Sequence, residues 1–477
     1  MNNHIFHKSI LRAYDIRGIY NETLFDNDAY FVGLSFAAFL KQNHKKKVTV
    51  ACDGRVSSPN LKERLIQGLT SSGIDVIDIG VGPTPMLYFS VYHLNCDAGI
   101  MVTGSHNPHN HNGFKMALKD RPFFGDDILN LGKIALEGKF TKGHGNVIQK
   151  DIKEDYTNRL LADCIIAKSE SELLDEVDDF AAPKKLKIAW DAGNGSAGEI
   201  MKMLTNRIDA NHILLFEKID GTFPHHHPDP TVAENLQDLI AAVKKNKCNF
   251  GIAFDGDGDR IGFVDNEGEI LWGDQFMVLF AQDILREHKG ATIIADVKAS
   301  NVLFDKIKEF GGNPIIWKTG HSFIKSKMKE TKAALAGEMS GHIFFADKYY
   351  GFDDALYAAI RMINILENSN KSLAELRKSL PKTFTTPEVK IECSDEEKFK
   401  IVNALKENLR KAGVEFNDID GVRASSGEGW WLVRASNTQP VLVARCEGSS
   451  AENLEKMKAN IRNNLTSFSL EIPKELL

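Results

Sequence analysis
The sequence predicts an α/β protein: three related mixed α/β domains followed by a smaller antiparallel α+β domain at the C-terminal end. Three observations lead there. A chain of 477 residues is too long for a single growing core, so several domains are expected. Three apolar strands end in aspartate, at Val48–Asp53, Leu186–Asp191 and Ala291–Asp296. Each is followed by a helical stretch and a second apolar strand that opens into a polar loop. One unit thus recurs at a spacing of roughly 100–140 residues, which suits related domains better than a solenoid. The tail breaks this pattern. It reads as a strand at Val389–Cys393, an amphipathic helix over Asp395–Ala412, strands at Gly421–Ser425, Trp430–Ala435 and Val441–Cys446, and a last helix at Ala451–Ser467. Domains are therefore placed at 1–150, 151–268, 269–375 and 376–477, the last junction running into Lys382–Pro387.

Composition narrows the partners. Hydrophobic residues at 43% and charged residues at 26% describe an ordinary globular protein. A formal net charge of -6 gives no reason to assign nucleic acid or a membrane as partner. The six cysteines are scattered with no Cys-x-x-Cys, the pattern of free thiols in a reducing compartment. Met1–Lys8 lacks an apolar signal core and no stretch is long enough to span a bilayer, so a cytoplasmic location is expected. The sequence sets no oligomeric state.

Chemistry concentrates in polar loops. Thr103–Pro108 places the hydroxyl of Ser105 between a glycine and a proline-closed turn, directly after the buried strand Ala98–Val102. Loops at strand ends are where open α/β sheets keep their ligands. Ser, Asn and Pro also form ordinary turns, so this loop gains meaning only from its companions. It is not an esterase elbow, because Asn107 stands where the second glycine would be. The second loop, Asp255–Arg260, carries carboxylates at alternate positions separated by glycines. Such carboxylates repel one another unless a hard cation, magnesium or calcium, neutralises them. A calcium loop of the EF-hand kind is ruled out by Arg260 and Asn266, which occupy the positions of its glycine and glutamate. Magnesium, a hydroxyl and an adjacent arginine together indicate phosphoryl transfer. The third loop, Arg434–Pro440, offers an arginine fork, small hydroxyls and free backbone N–H groups, which suit a phosphate.

Some patterns compete. Gly193–Gly198 matches a dinucleotide fingerprint, with Glu217 near the position of its acidic residue, but that reading leaves the serine, aspartate and arginine loops without a use. A tight strand-to-helix turn is the simpler account. Gly312–Thr319 resembles a Walker A loop except that Trp317 replaces the glycine that cradles phosphate. His225–His227 lies between Pro224 and Pro228 and reads as a rigid polar loop rather than a transition-metal site.

Taken together, the chain resembles the α-D-phosphohexomutases, in their phosphomannomutase/phosphoglucomutase branch. Thr103–Pro108, Asp255–Arg260, Gly337–His342 and Arg434–Pro440 carry the resemblance in order, supported by Tyr14–Gly18, Asp191–Gly195 and Gly221–Pro230. The resemblance covers essentially the whole chain and implies four domains around one central cleft. It implies that Ser105 carries phosphate as phosphoserine, and that Asp255, Asp257 and Asp259 bind Mg2+ with the Ser105 phosphate as a further ligand. Arg17 and Lys115 would flank the phosphoserine and assist proton transfer, and Arg260 would place phosphate or sugar. Tyr14, Lys298 and His321 match further cleft positions, His321 among the catalytic ones. Glu338, Ser340 and His342 would contact the sugar, while Arg434, Ser436, Asn437 and Thr438 would grip the phosphate that is not reacting.

The implied reaction moves phosphate between the 1- and 6-hydroxyls of a hexose through a hexose 1,6-bisphosphate, which also serves as activator. A glutamate reading sugar hydroxyls 3 and 4 would not separate glucose from mannose, so dual activity is expected and a phosphoglucosamine mutase is the neighbouring alternative. A haloacid-dehalogenase-type phosphotransferase would instead use Asp255 as nucleophile and Asp353 and Asp354 on magnesium, leaving Ser105 idle. A non-catalytic sugar-phosphate sensor is the remaining class.

Overall fold
A computed structural model describes residues 3–168, 185–437 and 439–477. Its first three sheets follow one rule. In the first, Lys47–Cys52 lies between two parallel neighbours, Asp75–Val81 and Ala98–Val102, and the latter pairs antiparallel with His111–Leu118. In the second, Lys187–Asp191 lies between Asn211–Leu215 and Phe250–Phe254, and Ile261–Asp265 runs antiparallel beside the latter. In the third, Thr292–Asp296 lies between Asn313–Trp317 and Leu335–Gly337, with Ile343–Phe345 antiparallel. The central strands are apolar runs because helices cover both of their faces. Ile16–Ile19 and Val147–Gln149 widen the first sheet, and Ile270–Leu271 the second.

The aspartates that mark the repeat have a local cause. The Oδ1 atoms of Asp53, Asp191 and Asp296 each accept the backbone N–H two residues on, from Arg55, Gly193 and Lys298 at 3.1, 2.8 and 3.3 Å. This side-chain turn ends the strand and starts the loop. Each unit also contains a parallel strand between the two that the repeat marks. One of these, Asn313–Trp317, is the segment that resembles a Walker A loop, and it is a β-strand rather than a phosphate cradle. Gly193–Gly198 is a strand-to-helix turn into the helix Gly198–Arg207.

The fourth sheet is antiparallel throughout, in the order Phe384–Thr385, Val441–Gly448, Gly429–Ala435, Val422–Ser426, Phe416–Asn417, with Val389–Glu392 also on Val441–Gly448. Alternation along Gly429–Ala435 divides its side chains. Trp431, Val433 and Ala435 pack with residues of the helices Glu397–Lys411 and Ala451–Leu465, whereas Trp430 and Leu432 face Val297 of the third unit. Arg434, on the same face as Trp430 and Leu432, is thereby turned towards the third unit.

One apolar core joins the first three units, from Met86 and Tyr88 through Trp190 to Phe276 and Tyr357. The tail has its own core and a narrower attachment. There Arg423 and Arg445 donate to the carbonyls of Val297, Lys298 and Ala299, and the Arg423 guanidinium stacks on Trp430 at 3.8 Å.

Asp354 is tied into the shared core. It caps the helix Ala355–Glu367 through the N–H of Tyr357 at 2.9 Å and accepts the hydroxyls of Tyr156 and Tyr349, each at 2.8 Å. Burial outweighs these donors and pushes its carboxyl up to about 7. The folded chain therefore holds this proton more tightly than the unfolded chain. Its contribution to stability is fully present below the usual carboxylate range, about pH 4, and is lost as pH rises through the folded value. Urea unfolding of the wild type and Asp354→Asn should show this fall in the wild type between mildly acidic and neutral pH, and a flatter profile in the variant.

Candidate active site
The same hairpin position in each unit, between the last parallel strand and its antiparallel partner, supplies one loop to a common cleft. These are residues 103–110, 255–260 and 338–342. The fourth unit adds the loop after Gly429–Ala435. Together they line a cleft of about 1180 Å³. Tyr14, Arg17, Lys115, Arg260, Lys298, His321, Glu338, Ser340, His342, Arg434, Ser436 and Asn437 all border it. Ser105 and the three aspartates lie buried beneath its floor. Thr438 lies outside the described residues.

At the serine end, the Ser105 backbone is left-handed, with φ at 52°. Its N–H donates to Thr103 Oγ1 at 2.8 Å, and its hydroxyl donates to Asp255 Oδ2 at 3.1 Å. Asp255, Asp257 and Asp259 are each 0% exposed. One oxygen of Asp255 accepts the N–H groups of Asp259 and Arg260 at 3.1 Å, an arrangement that curls the loop around its first residue. Lys115, reaching from His111–Leu118, donates to Asp257 Oδ2 at 2.7 Å and to Asp259 Oδ2. Thr84 also donates to Asp257 Oδ2 at 2.5 Å, and Thr103 Oγ1 stands 3.1 Å from the same oxygen. Burial alone would push the Lys115 ammonium down, but the two carboxylates hold it above the ordinary lysine range.

The other oxygens of Asp257 and Asp259, both Oδ1, are buried without a hydrogen-bond partner. Ligand atoms of Asp255, Asp257 and Asp259 all lie within 4.8 Å of one another. Hard carboxylate oxygens that converge unsatisfied in a buried site fit a divalent cation of the magnesium kind. The Ser105 hydroxyl stands beside this set.

Arg17 is positioned by pairing of Ile16–Ile19 with His111–Leu118, where it lies opposite Gly113. Its Nε donates to Asp15 at 2.7 Å and its Nη1 to Asn107 of the serine loop at 3.3 Å. Arg260 Nε donates to His342 Nε2 at 3.1 Å, so His342 accepts there and carries its ring proton on Nδ1. That Nδ1 is 3.2 Å from Asp353 Oδ2. His321 stacks on His342 with ring centroids 5.6 Å apart, and both its ring nitrogens lack a hydrogen-bond partner. Burial, aided by the Lys325 ammonium, holds His321 well below its usual range.

The opposite end is built by the third and fourth units. Glu338 accepts the N–H of Gly320 at 2.5 Å. Gly320 has φ at 130°, and a Cβ there would lie 2.5 Å from the Tyr14 ring, so only glycine lets the ring approach. The Tyr14 hydroxyl donates to the Thr319 carbonyl at 2.8 Å and accepts from Asn437 Nδ2 at 2.5 Å, linking first, third and fourth units. Arg434 is fixed by Asp420 at 2.9 Å, and the same Asp420 oxygen accepts the Thr319 N–H at 3.0 Å. Lys298 pairs with Glu388 at 2.8 Å. Ser436 Oγ accepts the Gln439 N–H at 3.2 Å, which closes the arginine loop.

Several participants were not legible beforehand. Arg55, Thr84, Glu388 and Asp420 act through contacts remote in sequence. Asp353 and Asp354, which a dehalogenase-type site would place on the metal, are engaged elsewhere: Asp353 pairs with Lys325 at 2.8 Å, and Asp354 caps a helix. Asp353 does share a buried cluster with Asp259 and His342, but the Lys325 ammonium already balances its charge. The histidine run fastens turns together. His225 stacks on Phe216 with centroids 4.1 Å apart, His226 bonds Asp191 at 3.1 Å, and His227 borders the cleft.

This architecture, with one loop from each of three repeated α/β units facing an antiparallel fourth, is found in known proteins. Models of the phosphoglucomutase/phosphomannomutase α/β/α domains I, II and III match residues 8–141, 171–268 and 272–384, and that of the C-terminal domain matches 388–464. A phosphomannomutase/phosphoglucomutase of Pseudomonas aeruginosa is 41% identical over 98% of this chain and 97% of its own length. A phosphoglucomutase of Neisseria meningitidis is 42% identical over 96% and 97%. The crystal structure of a phosphoglucomutase/phosphomannomutase family protein from Burkholderia thailandensis superposes with a TM-score of 0.90 at 39% identity, covering 98% of this chain and 100% of that one. The chain belongs to the phosphoglucomutase/phosphomannomutase family, and it is an enzyme, a hexose phosphate mutase.

Asp420 offers a test of the passive end. Asp420→Ala frees Arg434 and the Thr319 N–H together, so KM for a sugar phosphate should rise about tenfold, equivalent to about 1.4 kcal/mol, with kcat changed less. Steady-state kinetics of the variant checks this.

Proposed function
We propose that the protein interconverts hexose 1-phosphates and 6-phosphates, of mannose and of glucose, through phosphoserine at Ser105 and a hexose 1,6-bisphosphate. The observation that carries this reading is the Ser105 hydroxyl 3.1 Å from Asp255, beside two buried carboxylate oxygens without partners and across one cleft from the arginine loop. In this reading residues 1–150 hold the phosphoserine, 151–268 the metal, 269–375 the sugar and 376–477 the passive phosphate.

Asp255, Asp257 and Asp259 would hold Mg2+, with the Ser105 phosphate as a further ligand. Bound there, the ion supplies positive charge to the transferring phosphoryl group. Arg434, Ser436, Asn437 and Thr438 hold the phosphate already on the sugar, while Glu338 and Ser340 orient the ring. The free hydroxyl then faces the serine loop. Its attack forms a new O–P bond and breaks the bond from phosphorus to Ser105 Oγ. The hydroxyl proton passes to a cleft imidazole, for which His321, both of whose ring nitrogens lack a hydrogen-bond partner, is the acceptor at hand. Arg17, Lys115 and Arg260 balance the phosphoryl charge, so positioning and electrostatics supply most of the rate. Lys298 and Tyr14 shape the wall between the two ends. The bisphosphate turns over in the cleft and returns its other phosphate to Ser105. A trace of hexose 1,6-bisphosphate acts as activator because it rephosphorylates any enzyme that loses its phosphate.

A carboxylate at Glu338 that reads hydroxyls 3 and 4 is blind to carbon 2, where glucose and mannose differ. The six cysteines, all free and mostly buried, fit a reducing cytoplasm. Among the described residues no helix is long and apolar enough to cross a membrane.

In an assay with magnesium and a trace of glucose 1,6-bisphosphate, mannose 1-phosphate and glucose 1-phosphate should turn over with efficiencies within about tenfold of each other. Glucosamine 1-phosphate turning over equally well would contradict this specificity. Ser105→Ala should lower kcat by roughly 10⁴-fold or more, as loss of a covalent nucleophile does. Removing metal with EDTA should abolish turnover, and added Mg2+ should restore it in the wild type but not in Asp257→Ala.

A further inference from the structure
Arg55 has no part in the chemistry described above, yet its side chain is sealed within the protein at 1% exposure. A guanidinium has five N–H bonds, and here each has an acceptor. Nε donates to Asp53 Oδ2 at 3.1 Å. Nη1 donates to the carbonyls of Pro108 and His111 at 2.5 and 3.0 Å. Nη2 donates to the carbonyls of Ser105 and Asn107, both at 2.6 Å. Three carbonyls of the serine loop and that of His111, which opens the next strand, thus converge on one planar cation. Carbonyl dipoles aimed at a common point repel unless a positive charge stands between them.

The geometry matters because of what the loop carries. Ser105 has a left-handed backbone, which L side chains seldom adopt, and its own carbonyl is one of the four. Fixing that carbonyl fixes the peptide plane after Ser105 and limits the directions open to Oγ. The guanidinium is itself immobilised. Asp53 takes both its Nε–H and the Arg55 backbone N–H, and also accepts Thr103 Oγ1 at 2.8 Å and the Gly104 N–H at 3.1 Å. Above the plane, a Cβ on Gly104 would stand 2.4 Å from Arg55 Cζ, so only glycine leaves room for the cation against the loop. Phe223, from the second unit, places its ring centroid 5.1 Å from the same carbon.

We propose that Arg55 is a positioning residue for phosphoryl transfer: it holds the serine loop in the strained turn that aims Ser105 Oγ at Asp255 and the cleft. This rests on the assignment of Ser105 as the phosphorylated nucleophile. Lysine cannot replace it, because an ammonium has three donors without a planar fork. A nucleophile displaced by about 1 Å loses rate by about 10²-fold while the distant phosphate grip is untouched.

The test uses the full-length enzyme with glucose 1-phosphate, magnesium and a trace of glucose 1,6-bisphosphate. Arg55→Lys, Phe223→Ala and Ser105→Ala are compared with wild type for kcat, KM, thermal unfolding, and phosphate content by intact mass. Single-turnover transfer from enzyme phosphorylated beforehand is followed as well. Arg55→Lys should unfold cooperatively, still carry phosphate, keep KM within about twofold, and lose about 10²-fold in kcat and in single-turnover rate alike. Wild-type kcat in this variant, or a rise in KM at unchanged kcat, overturns the proposal. Should Arg55→Lys not fold, Phe223→Ala decides. That variant loosens the guanidinium from a half-buried position, and kcat lower by about threefold at constant KM supports the proposal, whereas unchanged kcat overturns it. Full activity in Ser105→Ala would instead remove the underlying assignment, whatever the Arg55 variants show.

Discussion
Lys115 donates to one oxygen each of Asp257 and Asp259, across the boundary between the first and second sheets. None of these three side chains has appreciable contact with water. Three carboxylates within reach of one another, removed from solvent, would not stay ionised without cations close by. Arg260 of the acidic loop supplies one cation, and the first unit supplies the others: Lys115 directly, and Arg17 beside the serine loop. The electrostatic need of the acidic loop therefore binds it to the unit that carries Ser105. Each loop is incomplete without the other, which is why the Ser105 hydroxyl and the acidic loop, roughly 150 residues apart in sequence, meet within hydrogen-bond distance.

The division of the apolar core follows the division of labour. The first three units share one core, so the serine, the aspartates and the sugar loop are fixed relative to one another. The fourth unit packs through Val297, Trp430 and Leu432, with two arginines donating to the chain just after Asp296. Ser105 and the aspartates thus stand on the rigid part, and the arginine loop stands on the part held by the narrower seam. Polar contacts from Tyr14 to Asn437 and from Thr319 to Asp420 close the ring around the cleft. The bisphosphate of the proposed reaction would need a fixed transfer point and a second anion site across the cleft, and this arrangement is suited to both.

Much of this was legible in the sequence because it is local. Strands ending in aspartate announce themselves, since the aspartate makes the turn that follows. The acidic loop is visible because alternate aspartates have few other uses. The tail showed its antiparallel nature through short strands in quick succession. What escaped was set by tertiary contact. Arg55 looks like any charged residue after a strand until three carbonyls of the serine loop and that of His111 close on it. Asp420 and Glu388 gain meaning only when the fourth unit brings them to Thr319 and Lys298. The histidine run and Gly193–Gly198 each admit a ligand-site reading because polar turn residues serve both purposes; they read more simply as turns, and the His226 bond to Asp191 and the helix that starts at Gly198 agree with that.

The central claim is that phosphate resides on Ser105 and moves from there to sugar. Enzyme labelled from glucose 1,6-bisphosphate carrying ³²P, then digested and mapped by mass spectrometry, tests it most directly, with a chase of unlabelled glucose 1-phosphate in magnesium. Label is expected on the peptide containing Ser105, stable to acid, leaving within the chase and appearing in hexose phosphate. Label on the Asp255 peptide in an alkali-labile linkage, or label on Ser105 that the chase does not remove, would contradict it.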